Sequence, residues 1–251
     1  KREFTKGFVY SDGYADDAGL TRANAVDAAA NGAEIATHTA LLSARRDGDV
    51  WRAALTGGRI VEARALVNAA GPWVAETLKL LGVNARAGVR LVKGSHIVVP
   101  RLYDGDHAYM LQQPDRRVAF AVPWRGAFTA IGTTDVPVDR PEDAGIDEAE
   151  TAYLLAAANR YFVKQIDTAD VTATWSGVRS LYDDGASDAK AITRDYVLEL
   201  DTAGPPLLSV FGGKITTARR LAEEALGKLC RPLGFEARRV TRDRPFPAID
   251  Q

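Results

Sequence analysis

Lys93-Gly94-Ser95-His96 breaks an otherwise apolar run, LVKGSHIVVP, with a residue lacking a side chain beside an imidazole. A glycine inside a strand marks a bulge or the close approach of a ligand, and a histidine beside it can take or give a proton near neutral pH. The competing role is a hydrogen-bonded structural histidine on an edge strand. Arg179 follows Trp175-Ser176-Gly177-Val178, and Arg194 stands 15 residues further on (194 − 179) in Ile192-Thr193-Arg194-Asp195-Tyr196. Guanidinium forks bind phosphate or carboxylate in bidentate fashion, so two at matching ends of adjacent antiparallel strands would form an anion pocket. Otherwise they are surface arginines paired with Asp183, Asp184 or Asp195. In LLSVFGGKITTARRLAEEAL an apolar strand meets Gly212-Gly213 and a helix whose first turn holds Lys214, Thr216 and Thr217. Free amides and the helix dipole at such a junction favour an anion or an electron-rich ligand atom. A tight turn with threonine caps is the alternative. Thr133-Thr134-Asp135 closes another strand, where capping of the turn is the favoured role and orientation of a neighbouring arginine the second one.

Other chemistries are excluded. The single cysteine, Cys230, rules out a disulfide within the chain and cysteine-cluster metal sites. His38, His96 and His107 lack metal-ligand spacing, so no metal is expected. Glu142 and Asp143 sit in a loop-like stretch and read as solvated. Neither G-x-G-x-x-G nor a P-loop occurs. The 32 Lys and Arg against 33 Asp and Glu give a formal net charge of −1, which argues against nucleic acid as a partner. No apolar run approaches the ~18 residues of a membrane span, and no basic amphipathic helix suits a membrane surface. Lys1-Arg2-Glu3-Phe4-Thr5 has neither an initiator Met nor a signal-peptide core, so the expectation is a soluble, cytosol-type piece of something longer. Its 251 residues, 46% hydrophobic and 26% charged, are globular proportions.

The elements that must position these residues follow from pattern. Residues 16–31, Ala-rich, open with an Asp pair fit to cap a helix and are followed by Gly32. Extended runs at 34–46 and 50–55, broken by Asp47-Gly48-Asp49 and Thr56-Gly57-Gly58, predict two successive hairpins. The apolar run 65–70 suits a strand covered on both faces, and Pro72 opens a helix over 73–81. Residues 89–99, 108–111, 118–123 and 128–132 predict an antiparallel meander. A helix over 147–163, strands over 171–181, 192–200 and 207–210, and a helix over 215–229 complete the chain, with a tail or linker at 231–251.

Taken together, GFVYSDGYADDAGLT, ALVNAAGPW, RLVKGSHIVVP, PWRGAFTAIGTTD, WSGVRSL, AITRDY and SVFGGKITTARRLAEEAL resemble, in one order, the FAD-dependent, quinone-linked glycerol-3-phosphate dehydrogenases. ALVNAAGPW by itself is similar only to the wider amino-acid-oxidase-like flavoproteins. The resemblance covers residues 4–230. It implies an α/β (α+β) chain: part of an FAD-binding Rossmann-like fold with an antiparallel-sheet substrate domain. The implied division is a partial FAD-binding domain at 1–88, the substrate domain at 89–203, and a return strand and helix of the FAD-binding domain at 204–230. One central sheet would take strands near 65–70 and 207–210; the antiparallel sheet of 89–132 and 171–200 would roof the flavin.

By the same resemblance Leu41, Asn68, Ala69, Gly71 and Trp73 contact the adenine, ribose and phosphate side of FAD. Gly212, Gly213, Thr216 and Thr217 cradle its isoalloxazine. His96, Arg179 and Lys214 line the substrate side, and Arg194 holds the substrate phosphate. The implied reaction oxidises sn-glycerol 3-phosphate to dihydroxyacetone phosphate, with hydride passing from C2 to flavin N5, His96 or Arg179 taking the proton, and electrons going on to quinone. A cytoplasmic location, peripheral contact with the inner face of the cell membrane and a homodimer are the setting the family suggests. The family's G-x-G-x-x-G unit and C-terminal helical region lie outside the resemblance. The alternatives are another flavin oxidoreductase of the wider class, acting on an amino acid or hydroxy acid, and a catalytically inert fragment.

Overall fold

The computed structural model describes residues 4–84, 88–183 and 196–246. In chain order the elements are α1 (Asp17–Ala30), β1 (Leu41–Asp47), β2 (Val50–Leu55), β3 (Ile60–Ala63), β4 (Leu66–Asn68), α2 (Val74–Leu80), β5 (Gly88–Pro100), β6 (Tyr109–Gln112), β7 (Val118–Trp124), β8 (Phe128–Gly132) and β9 (Val136–Pro137). They continue with α3 (Glu148–Tyr161), β10 (Ala173–Asp183), β11 (Tyr196–Asp201), β12 (Leu207–Gly212) and α4 (Ala218–Leu233). The chain divides into two compact units, one of residues up to Tyr10 with Arg90–Ser180, the other of Ser11–Val89 with the residues from Leu181 onward.

The first unit is a sheet with one helix laid on it. Strand order is β10-β5-β8-β7-β6, with β9 also on β5. The pairs β5–β8, β8–β7, β7–β6 and β5–β9 are antiparallel, as the meander pattern predicts. Helix α3 starts at a capping box: the Asp147 carboxylate accepts from the Glu150 N–H, and the Glu150 carboxylate accepts from the Asp147 N–H. Its buried residues Leu154, Leu155, Ala157 and Ala158 pack on Ile97, Val99, Leu111, Ala119, Ala121 and Ile131 of the sheet. The paired alanines let the helix axis come close to the strands, where interior packing density is set by side-chain size.

The second unit holds two three-stranded sheets, β1-β2-β3 and β11-β12-β4. The first is the pair of hairpins expected from the Asp-Gly and Gly-Gly turns, although only 41–46 of the run 34–46 is strand, which continues through Asp47. In the second, β12 and β4 are parallel, which agrees with the apolar, non-alternating character of both runs. The structure corrects one placement here. Residues 192–200 were expected in the large antiparallel sheet, yet β11 pairs with β12 along its whole length, from Tyr196↔Gly212 to Asp201↔Leu207. The short link Thr202–Pro206 lets the two strands close as a hairpin at low entropic cost, and local closure wins over the more distant sheet. The tail also differs from expectation: α4 runs to Leu233, carrying Pro232 in its last turn, and ends at Gly234 with φ 69°. Beyond it, Thr241 donates to Glu223 and Arg244 pairs with Asp27 of α1 at 2.9 Å, so this stretch is tied back to its own unit.

The anchor of the second unit is Trp51. Only 2% exposed, its indole N–H donates to the carbonyls of Pro205 and Pro206 at 3.0 and 2.9 Å. The Arg46 guanidinium lies 4.9 Å from the ring centroid and pairs with Asp201 at 2.8 Å. One side chain thus joins the β1-β2-β3 sheet to the β11–β12 turn, within the apolar cluster it shares with Val74, Leu78, Leu207 and Phe211. Trp51→Phe keeps an aromatic ring and deletes the donor. The expected result is a loss of about 1–3 kcal/mol in urea unfolding with an unchanged far-ultraviolet circular dichroism spectrum, the cost of leaving buried acceptors unmet.

Candidate functional site

Alternation along β5 sorts its polar residues onto two faces. Lys93, Ser95, Ile97 and Val99 point under α3, while Gly94, His96 and Val98 point to the opposite face, which α3 does not cover and where Gly94 and Val98 are nonetheless buried. β10 sorts in the same way: the Ser176 hydroxyl meets that of Ser95 at 2.8 Å on the helix side, whereas Trp175 and Arg179 lie with His96. The His96 imidazole stacks on the Trp175 indole, with ring centroids 4.8 Å apart and planes 8° from parallel. Trp175 in turn stacks on Trp124 at 5.1 Å. His96 is on an interior strand, flanked by β10 and β8, so the edge-strand alternative is corrected.

Two glycines of the motifs are explained by this face. Gly132 pairs directly with His96, and a Cβ there would fall on the imidazole, nearest Cδ2. A Cβ on Gly94 would collide with Thr133 Oγ1 and sit 2.6 Å from Arg179 Nη2. Close approach, not backbone freedom, is what these two positions require.

Arg179 is held by a fork of its own: Nη1 donates to Asp135 Oδ1 at 2.7 Å and Nη2 to Thr133 Oγ1 at 3.1 Å. This corrects two expectations. Asp135 orients the arginine rather than capping a turn, and the arginine's partner is Asp135 rather than Asp183. Both side chains stay about half exposed, 40% for Arg179 and 54% for Asp135, so the fork can still receive a ligand. Arg194 lies outside the described residues.

Beneath the same strands is a cluster that motif reading passed over. Lys93 and Glu150 are 7% and 5% exposed at their side chains and pair at 2.8 Å. Lys93 Nζ also donates to the Gly145 carbonyl at 2.6 Å. The hydroxyls of Ser95 and Thr134 donate to Glu150 Oε1 at 2.8 and 2.5 Å. Burial opposes ionisation of the Glu150 carboxyl, but the bonds from Lys93, Thr134, Ser95 and the Asp147 N–H outweigh it and hold its pKa below the usual glutamate range. A signal was present: a lysine at an inward position of an apolar strand, and Asp147-x-x-Glu150 ahead of a helix.

In the second unit, Leu41, Asn68, Ala69 and Trp73 come together. With Ala40, Leu66, Val67, Ala70, Thr77 and Leu80 they line a cavity of about 840 Å³ at the end of β4. Its walls are mostly apolar side chains and strand-end backbone, a lining that suits a flat heteroaromatic ligand. Asn68 is buried, with Nδ2 donating to the Val74 carbonyl at 2.9 Å and Oδ1 accepting from the Ala70 N–H at 3.4 Å. Its amide therefore shapes the turn that leads past Gly71 and Pro72 into α2. Gly71 shapes that turn without lining the cavity. At the end of β12, Gly212 and Gly213 have φ of 72° and 101°, and Lys214 and Thr216 are exposed. Residues Ile215–Thr217 form a 3-10 turn before α4 proper, so the predicted helix start moves to Ala218; Thr217 Oγ1 donates to the Lys214 carbonyl at 3.0 Å.

Comparison with known proteins adds three likenesses and a family. The family model described as FAD dependent oxidoreductase matches residues 1–219. D-erythritol 1-phosphate dehydrogenase of Brucella abortus is 47% identical over 253 residues, covering 98% of this chain and 50% of that protein. Glycerol-3-phosphate dehydrogenase of Pseudomonas aeruginosa is 49% identical over 237 residues, covering 91% of this chain and 46% of that one. The crystal structure of the Bacillus halodurans glycerol-3-phosphate dehydrogenase complexed with FAD superposes with a TM-score of 0.76 at 28% identity, over 90% of this chain and 45% of that one. The chain spans about half the length of the curated relatives it matches.

Because the fold favours ionised Glu150, its contribution to stability is complete above the usual glutamate pKa, about 4.3, and is lost as pH falls through the lowered folded value. Urea midpoints of the chain are expected to fall on acidification below that range. The difference between wild type and Glu150→Gln should shrink over the same interval; a constant difference down to pH 3 would contradict the account.

Proposed function

The chain belongs to the FAD dependent oxidoreductase family, and on that premise we propose that it handles substrate and part of the cofactor in an enzyme oxidising the secondary alcohol of a polyol phosphate, sn-glycerol 3-phosphate to dihydroxyacetone phosphate. The observation that carries the reading is the placement of an imidazole and an oriented, half-exposed guanidinium on one sheet face, in a chain 49% identical to a glycerol-3-phosphate dehydrogenase.

The residues fit the cofactor. The cavity of Leu41, Asn68, Ala69 and Trp73 has the size and apolar lining for the adenosine part of FAD. We assign Gly71 to the turn beside it, and Gly212, Gly213, Thr216 and Thr217 to the flavin ring, on the strength of the resemblance. The chain carries no G-x-G-x-x-G, so these are a part of the contacts FAD needs. When bound, FAD supplies the acceptor for the hydride that leaves C2.

The remaining work falls to side chains. Oxidation of a C–O–H group releases one proton from oxygen, and charge builds on that oxygen as the proton leaves. A guanidinium is a fork of N–H donors with no acceptor, so the role of Arg179 is to hold the developing alkoxide in the orientation that Asp135 and Thr133 set. His96 is the group that can be neutral near pH 7, and we assign the proton to it. Stacking on Trp175 fixes the plane of its ring. Lys214 as a further cation for the substrate and Arg194 as the phosphate ligand rest on the resemblance. So do a quinone as the final acceptor, a homodimer, and a peripheral place on the inner face of the cell membrane. Among the described residues no helix is long and apolar enough to cross a membrane.

A second reading has an observation of its own. The D-erythritol 1-phosphate dehydrogenase aligns with 98% of this chain against 91% for the glycerol-3-phosphate enzyme, at nearly equal identity. A four-carbon polyol phosphate is the substrate under that reading. Visible spectra of the FAD-loaded protein, taken anaerobically, decide between them. The flavin bands are expected to bleach with sn-glycerol 3-phosphate and more slowly with D-erythritol 1-phosphate; the reverse order favours the second reading, and bleaching only with amino or hydroxy acids overturns both. Arg194→Ala is expected to raise KM for the phosphorylated substrate about 10- to 150-fold, the equivalent of ~1.5–3 kcal/mol for one charge-assisted contact. An unchanged KM removes Arg194 from the phosphate site.

A further inference from the structure

The open face and the covered face of the first unit are linked through a bulge. β5 pairs with β8 as far as His96↔Gly132 and with β9 from Lys93↔Val136. Between those pairs β5 has two residues, Gly94 and Ser95, and the opposing chain has three, Thr133, Thr134 and Asp135. The extra residue changes which way each side chain points. Thr133 and Asp135 go to the open face, where both hold Arg179. Thr134 goes under the sheet, 1% exposed, where its hydroxyl donates to Glu150 and accepts from the Ser95 N–H at 2.9 Å. Through that bond the Thr134 hydroxyl ties the Ser95 amide, on the β5 side of the bulge, to the opposing chain. Glu150 is in turn fixed by Lys93 through Oε2 and by the α3 capping box.

We propose that Glu150 and Thr134 are positioning residues for the open face: the buried carboxylate clamps the bulge through the Thr134 hydroxyl, and the bulge sets Asp135 and Thr133 on Arg179 and Gly132 against His96. Neither residue touches substrate. The kinetic consequence rests on the polyol-phosphate reading, while the geometric one does not.

The test uses three substitutions with both readouts. Thr134→Val keeps shape and removes the hydroxyl; Thr134→Ser restores it. Ser176→Ala deletes a part-buried hydroxyl that meets Ser95 from β10 but leaves the Thr134–Glu150 bond in place. The chain has three histidines, so the His96 ring proton, moved by the Trp175 ring current, can be followed by NMR and assigned by its loss in His96→Gln. In Thr134→Val we expect the His96 resonance to shift toward that of the exposed His38. In the FAD-loaded protein kcat should fall up to about 100-fold, the scale of a misplacement near 1 Å. Thr134→Ser should recover both, and Ser176→Ala should lower the melting temperature without moving either. Wild-type resonance and kcat in a folded Thr134→Val, or equal losses in Ser176→Ala, overturn the proposal. Should Thr134→Val not fold, absence of recovery in Thr134→Ser overturns it in the same way. If the wild-type protein oxidises no polyol phosphate, the functional reading fails and the His96 resonance still decides the positioning claim.

Discussion

An ion pair at 2.8 Å between two side chains almost removed from water governs the architecture of the first unit. Taking Lys93 and Glu150 out of solvent costs several kcal/mol per ion, and only dense hydrogen bonding makes the arrangement tolerable. The structure supplies it from three segments: the Gly145 carbonyl and Asp147 amide ahead of α3, the hydroxyl of Ser95 on β5, and that of Thr134 after β8. These groups come from three separate stretches of chain, so satisfying the charge obliges β5, the turn after β8 and the start of α3 to take fixed places. An apolar core of the same volume would hold the helix on the sheet equally well. It would not fix the register of the bulge, because apolar contacts are not directional.

That register matters on the other side of the sheet. Strand periodicity is strict, so a buried polar residue and an exposed functional one can alternate along one strand and be positioned by the same backbone. Lys93 and Ser95 face the helix while Gly94 and His96 face outward. Gly94 and Gly132 then serve as absences, leaving room for a guanidinium and an imidazole that any larger residue would displace. The polar clamp below and the glycines above are two parts of one device.

The second unit solves a different problem. Its parallel pair β4–β12 must be covered by apolar residues, and Val74, Leu78, Leu207 and Phe211 do this on the α2 side. Strand ends and glycine turns are left at one edge, where backbone is accessible and side chains are small. This is the setting in which a large planar cofactor binds through main-chain contacts, and the cavity at the end of β4 has that character.

Local patterns in the sequence determined a good deal. The Asp16 cap of α1, the hairpins around Gly48 and Gly57, the meander of β6, β7 and β8, and the apolar parallel strands are all set by short-range preferences and period. The motifs KGSH, GTTD and SGVR single out His96 and Arg179 by residue type and spacing. Tertiary structure alone decided the rest. The pairing of β11 with β12, the partnership of Arg179 with Asp135 44 residues away, and the burial of Lys93 against Glu150 depend on which strands become neighbours. A lone lysine or glutamate in a sequence reads as solvated, because the penalty for burying it is large unless a partner is in place. Only the folded sheet, with α3 across it, brings that partner within reach.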